Sequence, residues 1–153
     1  MPVSFPNVKL LLMKTRLIVV AIIENKEGQI LLGLKKQKRG VFPGTWHNLG
    51  GGVEKGETLE QALRREVKEE SCLEIESFTR MSFSDGVATK LKDGKSEEIY
   101  HVFLGFFCKT KNGKLIPGDE FEKLSWFAKK DLAKTNINPF AHEGFVRSGW
   151  IKK

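Results

Sequence analysis

The sequence has few cysteines and no uninterrupted apolar segment long enough to span a membrane. Two cysteines occur among 153 residues, and Cys72 and Cys108 are too few and too far apart for a disulfide framework or a zinc cluster. The apolar stretch at residues 10–23 is interrupted by Lys14 and Arg16 before it reaches the roughly 20 residues of a membrane span. No signal-peptide cleavage pattern follows it. The sequence therefore predicts a cytoplasmic protein without a membrane anchor.

The composition is that of an ordinary globular protein. Hydrophobic residues make up 40% and charged residues 29% of the chain, which excludes disordered and collagen-like classes. The length predicts a single domain over residues 1–153, in which residues 1–13 could be a loosely packed N-terminal segment. The net charge of +7 favours phosphate-bearing partners, but it does not separate nucleic acids from small nucleotides.

Local sequence patterns predict alternating strands and helices. Apolar, β-branched or aromatic runs predict strands at 16–23, 29–34, 46–49, 78–83, 98–108 and 124–127. Asp-Gly and Asn-Gly pairs predict turns at 85–86, 93–94 and 112–113. One helix is expected from Thr58, which forms a capping box with Gln61, to about Ser71, and a second over 139–150 after Asn138. This order predicts one mixed α and β domain.

The first predicted helix carries acidic residues beside its apolar face. The stripe expected to face the core is formed by Leu59, Leu63 and Val67. Glu66, Glu69 and Glu70 overlap the edge of that stripe, where carboxylates one turn apart repel one another, so we expect a cation among them. Oxygen ligands favour Mg²⁺, with Mn²⁺ as a substitute. The alternative is that Arg65 and nearby lysines pair with these glutamates at the surface.

Glycine-rich sequence precedes this helix. Gly50, Gly51 and Gly52 are consecutive, and glycine is suited to positions where backbone approaches a ligand closely. Residues 51–58 also have the spacing of a phosphate-binding P-loop, but Glu57 stands where that motif needs lysine and would repel a triphosphate. We therefore exclude a P-loop.

These motifs together resemble a known signature. Gly51, Glu57 and the segment REVKEESCL at 65–73 have the spacing of the Nudix hydrolase signature, Gx5Ex7REUxEExGU, in which U is aliphatic. Cys72 replaces the last glycine of the signature, at the place where glycine usually forms a left-handed helix cap. The flanks at 39–46, 83–85, 97–100, 120–121 and 126–127 resemble the bacterial Nudix branch that hydrolyses nucleoside triphosphates, notably pyrimidine deoxynucleotides. The resemblance covers about residues 16–132.

The resemblance implies a fold and an activity. The fold would be an α+β Nudix-type α/β/α sandwich with a mixed β-sheet. The activity would be Mg²⁺-dependent hydrolysis of nucleoside triphosphates to a nucleoside monophosphate and pyrophosphate, with a small nucleotide as the substrate and no nucleic-acid or membrane partner. Dimers are typical of such relatives, so a homodimer is also considered. Two alternatives stay open: hydrolysis of ADP-ribose or an oxidised purine nucleotide, and a basic RNA-associated protein.

The same resemblance assigns roles to residues. Metal ligands would be the Gly50 carbonyl and the carboxylates of Glu66, Glu69, Glu70 and Glu120, with Asp119 or Glu122 as substitutes for Glu120. Either Glu66 or Glu69 would be the general base, and Arg65 would join them in the catalytic group. An ion pair between Arg65 and Glu57 would support the Gly51 loop. Arg39 would bind phosphates, and a nucleobase would stack on Trp46, Phe83 or Tyr100 unless these rings only fill the core.

Overall fold

The computed structural model describes residues 13–153. The predicted N-terminal segment, residues 1–13, lies outside the described part except for its last residue. The described residues form eight strands: β1 Lys14–Ile23, β2 Ile30–Lys35, β3 Gly40–Val41, β4 Trp46–His47, β5 Leu49–Gly52, β6 Ile75–Lys92, β7 Lys95–Thr110 and β8 Phe121–Phe127. The helices are α1 Leu59–Ser71, a 3-10 helix Lys129–Lys134 and α2 Pro139–Arg147.

The larger sheet is mixed, as predicted. Its strand order is β3-β6-β7-β1-β5, with β1 and β7 parallel and the other pairs antiparallel. A second sheet has the order β4-β2-β8. Alternate residues of β1 point to opposite faces, so Val19 packs in the core that includes Leu63 of α1, and Ile22 packs in the core that includes Phe145 of α2. The α/β/α arrangement follows from these two cores.

Helix α1 begins and ends with specific side-chain and backbone contacts. The Thr58 hydroxyl accepts a hydrogen bond from the Gln61 N–H at 3.2 Å, and the Gln61 side chain accepts one from the Thr58 N–H at 2.8 Å, which confirms the capping box. At the other end Cys72 adopts the left-handed conformation with φ of 62°, and its N–H donates to the Lys68 carbonyl. The cysteine therefore occupies the backbone conformation that glycine would adopt more easily.

Two predictions about the second half of the chain are wrong. Asp85-Gly86 is not a turn, because Gly86 lies within β6 and pairs with His101, and the hairpin turn is instead at Asp93-Gly94. A β-carbon on Gly86 would lie 2.5 Å from the ring of Phe140, so this glycine serves close packing. Helix α2 ends at Arg147 and not near residue 150.

The three glycines ahead of α1 belong to β5, an edge strand of the larger sheet. Gly50, Gly51 and Gly52 pair with Val20, Val19 and Ile18 of β1 respectively. Among residues 13–153, no helix is both long and apolar enough to cross a membrane.

Candidate active site

A cavity of about 300 Å³ lies on the face of the larger sheet that packs against α2. Its floor is formed by alternate residues of three neighbouring strands: Arg16, Ile18 and Val20 of β1, His101, Phe103 and Gly105 of β7, and Ser82 and Ser84 of β6. Helix α2 contributes Phe140 and Arg147, and the end of α1 contributes two carboxylates. The cavity is therefore bordered by acidic, basic and aromatic side chains from separate parts of the chain.

Glu66 and Glu70 reach the cavity at the edge strand β5. Glu70 is only 5% exposed, and its carboxylate accepts a hydrogen bond of 2.7 Å from the Gly50 N–H. Burial raises the pKa of Glu70 to about 8 and also raises the pKa of Glu66. A β-carbon on Gly51 would lie 2.5 Å from the Glu66 carboxyl carbon, so the absence of a side chain there lets Glu66 lie against the strand.

Arg65 connects the loop before α1 to the acidic face of the helix. Its guanidinium donates to both oxygens of Glu57, with Nε–Oε1 and Nη2–Oε2 distances of 2.5 and 3.0 Å, and to the Gly52 carbonyl at 3.0 Å. It also donates to Glu66 at 2.7 Å and to Glu69 at 3.3 Å. The ion-paired arrangement considered as an alternative thus exists for Glu66 and Glu69. Glu70 instead binds the backbone of β5.

The donor set at this end of the cavity fits a divalent cation. Within residues 13–153, no three acidic, histidine or cysteine side chains are already gathered in the arrangement of a metal centre. Nevertheless Glu66, Glu70 and Glu120 line the same cavity, and they offer the hard oxygen ligands that Mg²⁺ and Mn²⁺ prefer. Burial raises the pKa of Glu70 more than the Gly50 N–H and Lys35 lower it, and a bound cation would further favour the charged carboxylate.

Glu69 lies at the rim, with its side chain 59% exposed and its carboxylate on Arg65. Glu69 is not among the side chains that line the cavity, so the described conformation separates it from Glu70.

Basic side chains line the same cavity as the carboxylates. Lys35, Arg16 and Lys90 line it, and the guanidinium of Arg16 packs against Gly52. Glu120 pairs with Lys35 and Arg39, each at 3.2 Å. Although burial opposes the charge of Glu120, these cations hold the pKa of its carboxyl below its usual range.

The sequence did not single out Arg16 or Lys90 as site residues. Arg39, which it did single out, is half exposed and does not line the cavity.

The structure places the predicted base-stacking rings away from the cavity. Trp46 packs edge-on against Phe127, with ring centroids 4.8 Å apart, beside the core that includes Phe145 of α2. Phe83 is 82% exposed, and the hydroxyl of Tyr100 donates to Asp85 at 2.5 Å on the surface. Phe83 and Tyr100 lie on the opposite sheet face from Ser82, Ser84 and His101, because side chains alternate along a strand.

Other aromatic residues line the cavity instead: Phe42, His47, His101, Phe103, Phe121, Phe140 and Phe145. The alternation of side chains between the two faces of β7 was the one sequence signal that could have identified His101 and Phe103. His47 bonds to Thr45 and to the Phe42 carbonyl, and burial lowers its pKa to about 4, so its ring is neutral at pH 7.

Comparison with known proteins identifies the family of this chain. The model of the NUDIX domain matches residues 14–148. The chain is 43% identical to nucleoside triphosphatase NudI of Escherichia fergusonii, in an alignment of 129 residues that covers 82% of this chain and 91% of that protein. It is 42% identical to nucleoside triphosphatase NudI of Escherichia coli, with the same coverage of both chains.

Solved structures show the same fold. The MutT NUDIX hydrolase of Burkholderia pseudomallei superposes with a TM-score of 0.69 at 26% identity, covering 88% of this chain and 97% of that one. The MutT protein of Bacillus halodurans superposes with a TM-score of 0.67 at 20% identity, covering 85% and 79%. The predicted family and the predicted α+β sandwich are confirmed, and the protein is a member of the NUDIX family.

Proposed function

We propose that this protein hydrolyses nucleoside triphosphates to a nucleoside monophosphate and pyrophosphate with the help of a divalent cation. The observation that carries the proposal is the juxtaposition of Glu66 and Glu70 with Arg16, Lys35 and Lys90 around one cavity. Carboxylates can hold a cation, and the basic side chains can hold the phosphates that the cation bridges. The NudI relatives, which are named nucleoside triphosphatases, support the same substrate class.

Enzymes of this family generally require a divalent cation, and we propose Mg²⁺, with Mn²⁺ as a substitute. Glu66 and Glu70 would hold it, with Glu120 and the Gly50 carbonyl as further ligands. A bound cation would supply positive charge to the phosphate oxygens and lower the pKa of water. Glu69 could join this set only if its carboxylate left Arg65.

The chain's own residues would perform the remaining steps. Arg16, Lys35 and Lys90 would neutralise and orient the phosphates. Water would attack phosphorus, and the P–O bond to the leaving pyrophosphate would break as the new P–O bond forms. Glu66 would accept the proton from that water, or Glu69 would do so after its carboxylate had left Arg65. The hydrogen bond from Arg65 would hold the Glu66 carboxylate in position.

The preferred nucleotides are proposed to be pyrimidine deoxynucleoside triphosphates, on the resemblance of the segments that flank the signature. The test is pyrophosphate release from the four ribonucleoside and four deoxyribonucleoside triphosphates, with Mg²⁺, with Mn²⁺ and with EDTA. ADP-ribose and an oxidised purine nucleotide belong on the same panel. Hydrolysis of none of the eight nucleoside triphosphates in the presence of either cation would refute the proposal.

A pair of matched variants tests the site itself. Glu66→Gln keeps the shape of the side chain but removes its charge, and we expect turnover to fall at least about 100-fold. Glu60→Gln is the control, because Glu60 lies on the same helix but is exposed and pairs with Arg64. Normal turnover of Glu66→Gln would show that this carboxylate takes no part in the reaction.

A further inference from the structure

Two buried polar side-chain atoms in the cavity wall lack a hydrogen-bond partner among the described residues. His101 is 3% exposed, and its Nδ1 has no hydrogen-bond partner within residues 13–153. Buried polar atoms are nearly always paired, so an unpaired atom in a cavity wall indicates a ligand group that would pair with it. The Oδ1 of Asn48 is also unpaired, but Asn48 lies two residues before Gly50 and so belongs to the acidic end of the cavity.

The aromatic side chains around His101 offer surfaces on which a planar heterocycle of a ligand can stack. His101 stacks on Phe103 with ring centroids 5.6 Å apart and planes 5° apart. Phe140 of α2 approaches Phe103 at 4.8 Å and His101 at 6.5 Å. All three rings line the cavity, and aromatic side chains offer faces on which heterocycles stack. The site thus combines apolar ring surfaces with one hydrogen-bonding atom, which is the usual composition of a specific small-molecule site.

The position of His101 relative to the acidic end matches the length of a nucleotide. Gly50, which binds Glu70, is in register with Val20 of β1, whereas His101 is in register with Arg16. Four residues of strand separate these two positions, or about 13 Å. The Arg16 side chain extends back to Gly52, so its charge lies between the two ends. Phosphates at the acidic end would place the rest of a nucleotide near His101.

We infer that His101 is a specificity-determining residue that hydrogen-bonds through Nδ1 to the nucleobase while the base stacks against Phe103 and Phe140, an inference that rests on the proposed function. Burial and the nearby Arg16 lower the pKa of His101, although a backbone hydrogen bond with Ile99 opposes this shift. A neutral imidazole has one donor and one acceptor nitrogen. A neutral imidazole can therefore pair with either an N–H or a carbonyl of a base edge.

The test compares substrates with and without a base. His101→Phe keeps a buried ring but removes Nδ1, and we expect kcat/KM for the preferred nucleoside triphosphate to fall about 10- to 100-fold, mainly through KM. Hydrolysis of 2-deoxyribose 5-triphosphate, which has no base, should be unchanged. The ratio of kcat/KM between the best and the worst nucleoside triphosphate should also decrease. His142→Phe is the matched control, because this histidine of α2 is exposed and does not line the cavity.

An equal loss on the base-bearing and base-free substrates would overturn the inference while leaving the proposed function intact, because it would place His101 at the phosphates or in the fold alone. Absence of hydrolysis of any nucleotide by the unmodified protein would remove the proposed function and the inference together. Should His101→Phe fail to fold in a thermal melt, His101→Gln takes its place. Glutamine keeps a donor and an acceptor, so discrimination between bases should survive in part. Loss of both the base discrimination and the hydrolysis of the base-free substrate would count against the inference.

Discussion

The guanidinium of Arg65 donates two parallel hydrogen bonds to the carboxylate of Glu57, and this contact joins the loop before α1 to the helix. These hydrogen bonds lower the pKa of Glu57 to about 2, so the pair stays ionised across the physiological range. Because the same guanidinium also contacts Glu66 and Glu69, the loop and the two candidate bases share one anchor.

Replacing this anchor by lysine should impair activity more than folding. Arg65→Lys keeps the charge, but lysine cannot form two parallel bonds with one carboxylate while also reaching the Gly52 carbonyl. We expect kcat to fall at least about tenfold and the melting temperature to fall measurably. Steady-state kinetics and a thermal melt on the same sample check this. Unchanged kcat would mean that Glu66 and Glu69 do not depend on Arg65 for their positions.

A second ion-paired carboxylate should give a pH-dependent contribution to stability. Burial opposes the charge of Glu24, but hydrogen bonds from Lys109 at 2.7 Å and Lys129 at 2.5 Å outweigh it and lower the pKa of Glu24. A lowered pKa stabilises the fold above the ordinary value of 4.5, and this contribution is lost as pH falls through the folded-state pKa. Glu24→Gln should therefore destabilise the protein by about 1 kcal/mol at pH 7.

The measurement is the melting temperature of both proteins between pH 7 and pH 3, where the two curves should converge at the acidic end. Glu27→Gln is the control, because Glu27 is exposed in the adjacent turn. A constant difference at every pH would show that the charge of Glu24 is not the cause.

The left-handed cap of α1 offers a stabilising substitution. Cys72 has φ of 62°, a conformation that costs a residue with a β-carbon roughly 1 kcal/mol more than glycine. Cys72→Gly should raise stability by about 1 kcal/mol, or about 2–4 °C in melting temperature. Cys72→Ala, which keeps the β-carbon, should give no such gain. Equal melting temperatures for the two variants would indicate that the cap is not strained.

Replacement by serine should affect two phenylalanines of the larger sheet to different extents. Phe83 is exposed and does not line the cavity, so Phe83→Ser should change kcat/KM by less than about twofold. Phe103 lies in the cavity wall, and Phe103→Ser should lower kcat/KM at least about tenfold. Hydrolysis assays of both variants at equal folded concentration check this. A larger loss for Phe83 would support the sequence-based assignment of that ring to substrate binding.

The features that sequence patterns predicted correctly are local ones. The capping box of Thr58, the apolar stripe of α1 and the start of α2 after Asn138 depend on neighbours within a turn or two of helix. The contact between Arg65 and Glu57, which the family resemblance implied, also joins residues only eight positions apart. The prediction of a turn at Asp85-Gly86 was wrong because strand pairing along the whole length of β6 and β7 overrides the local turn preference.

The sequence by itself determined that one helix carries Glu66, Glu69 and Glu70 beside a glycine-rich segment, because a helix repeats every 3.6 residues wherever it lies. Only the tertiary structure decided that Glu69 stays on Arg65 at the rim and that Arg16 and His101 share a cavity with Glu70. Those neighbours arise from strand order and register, which depend on pairing between residues about 85 positions apart, such as Arg16 and His101.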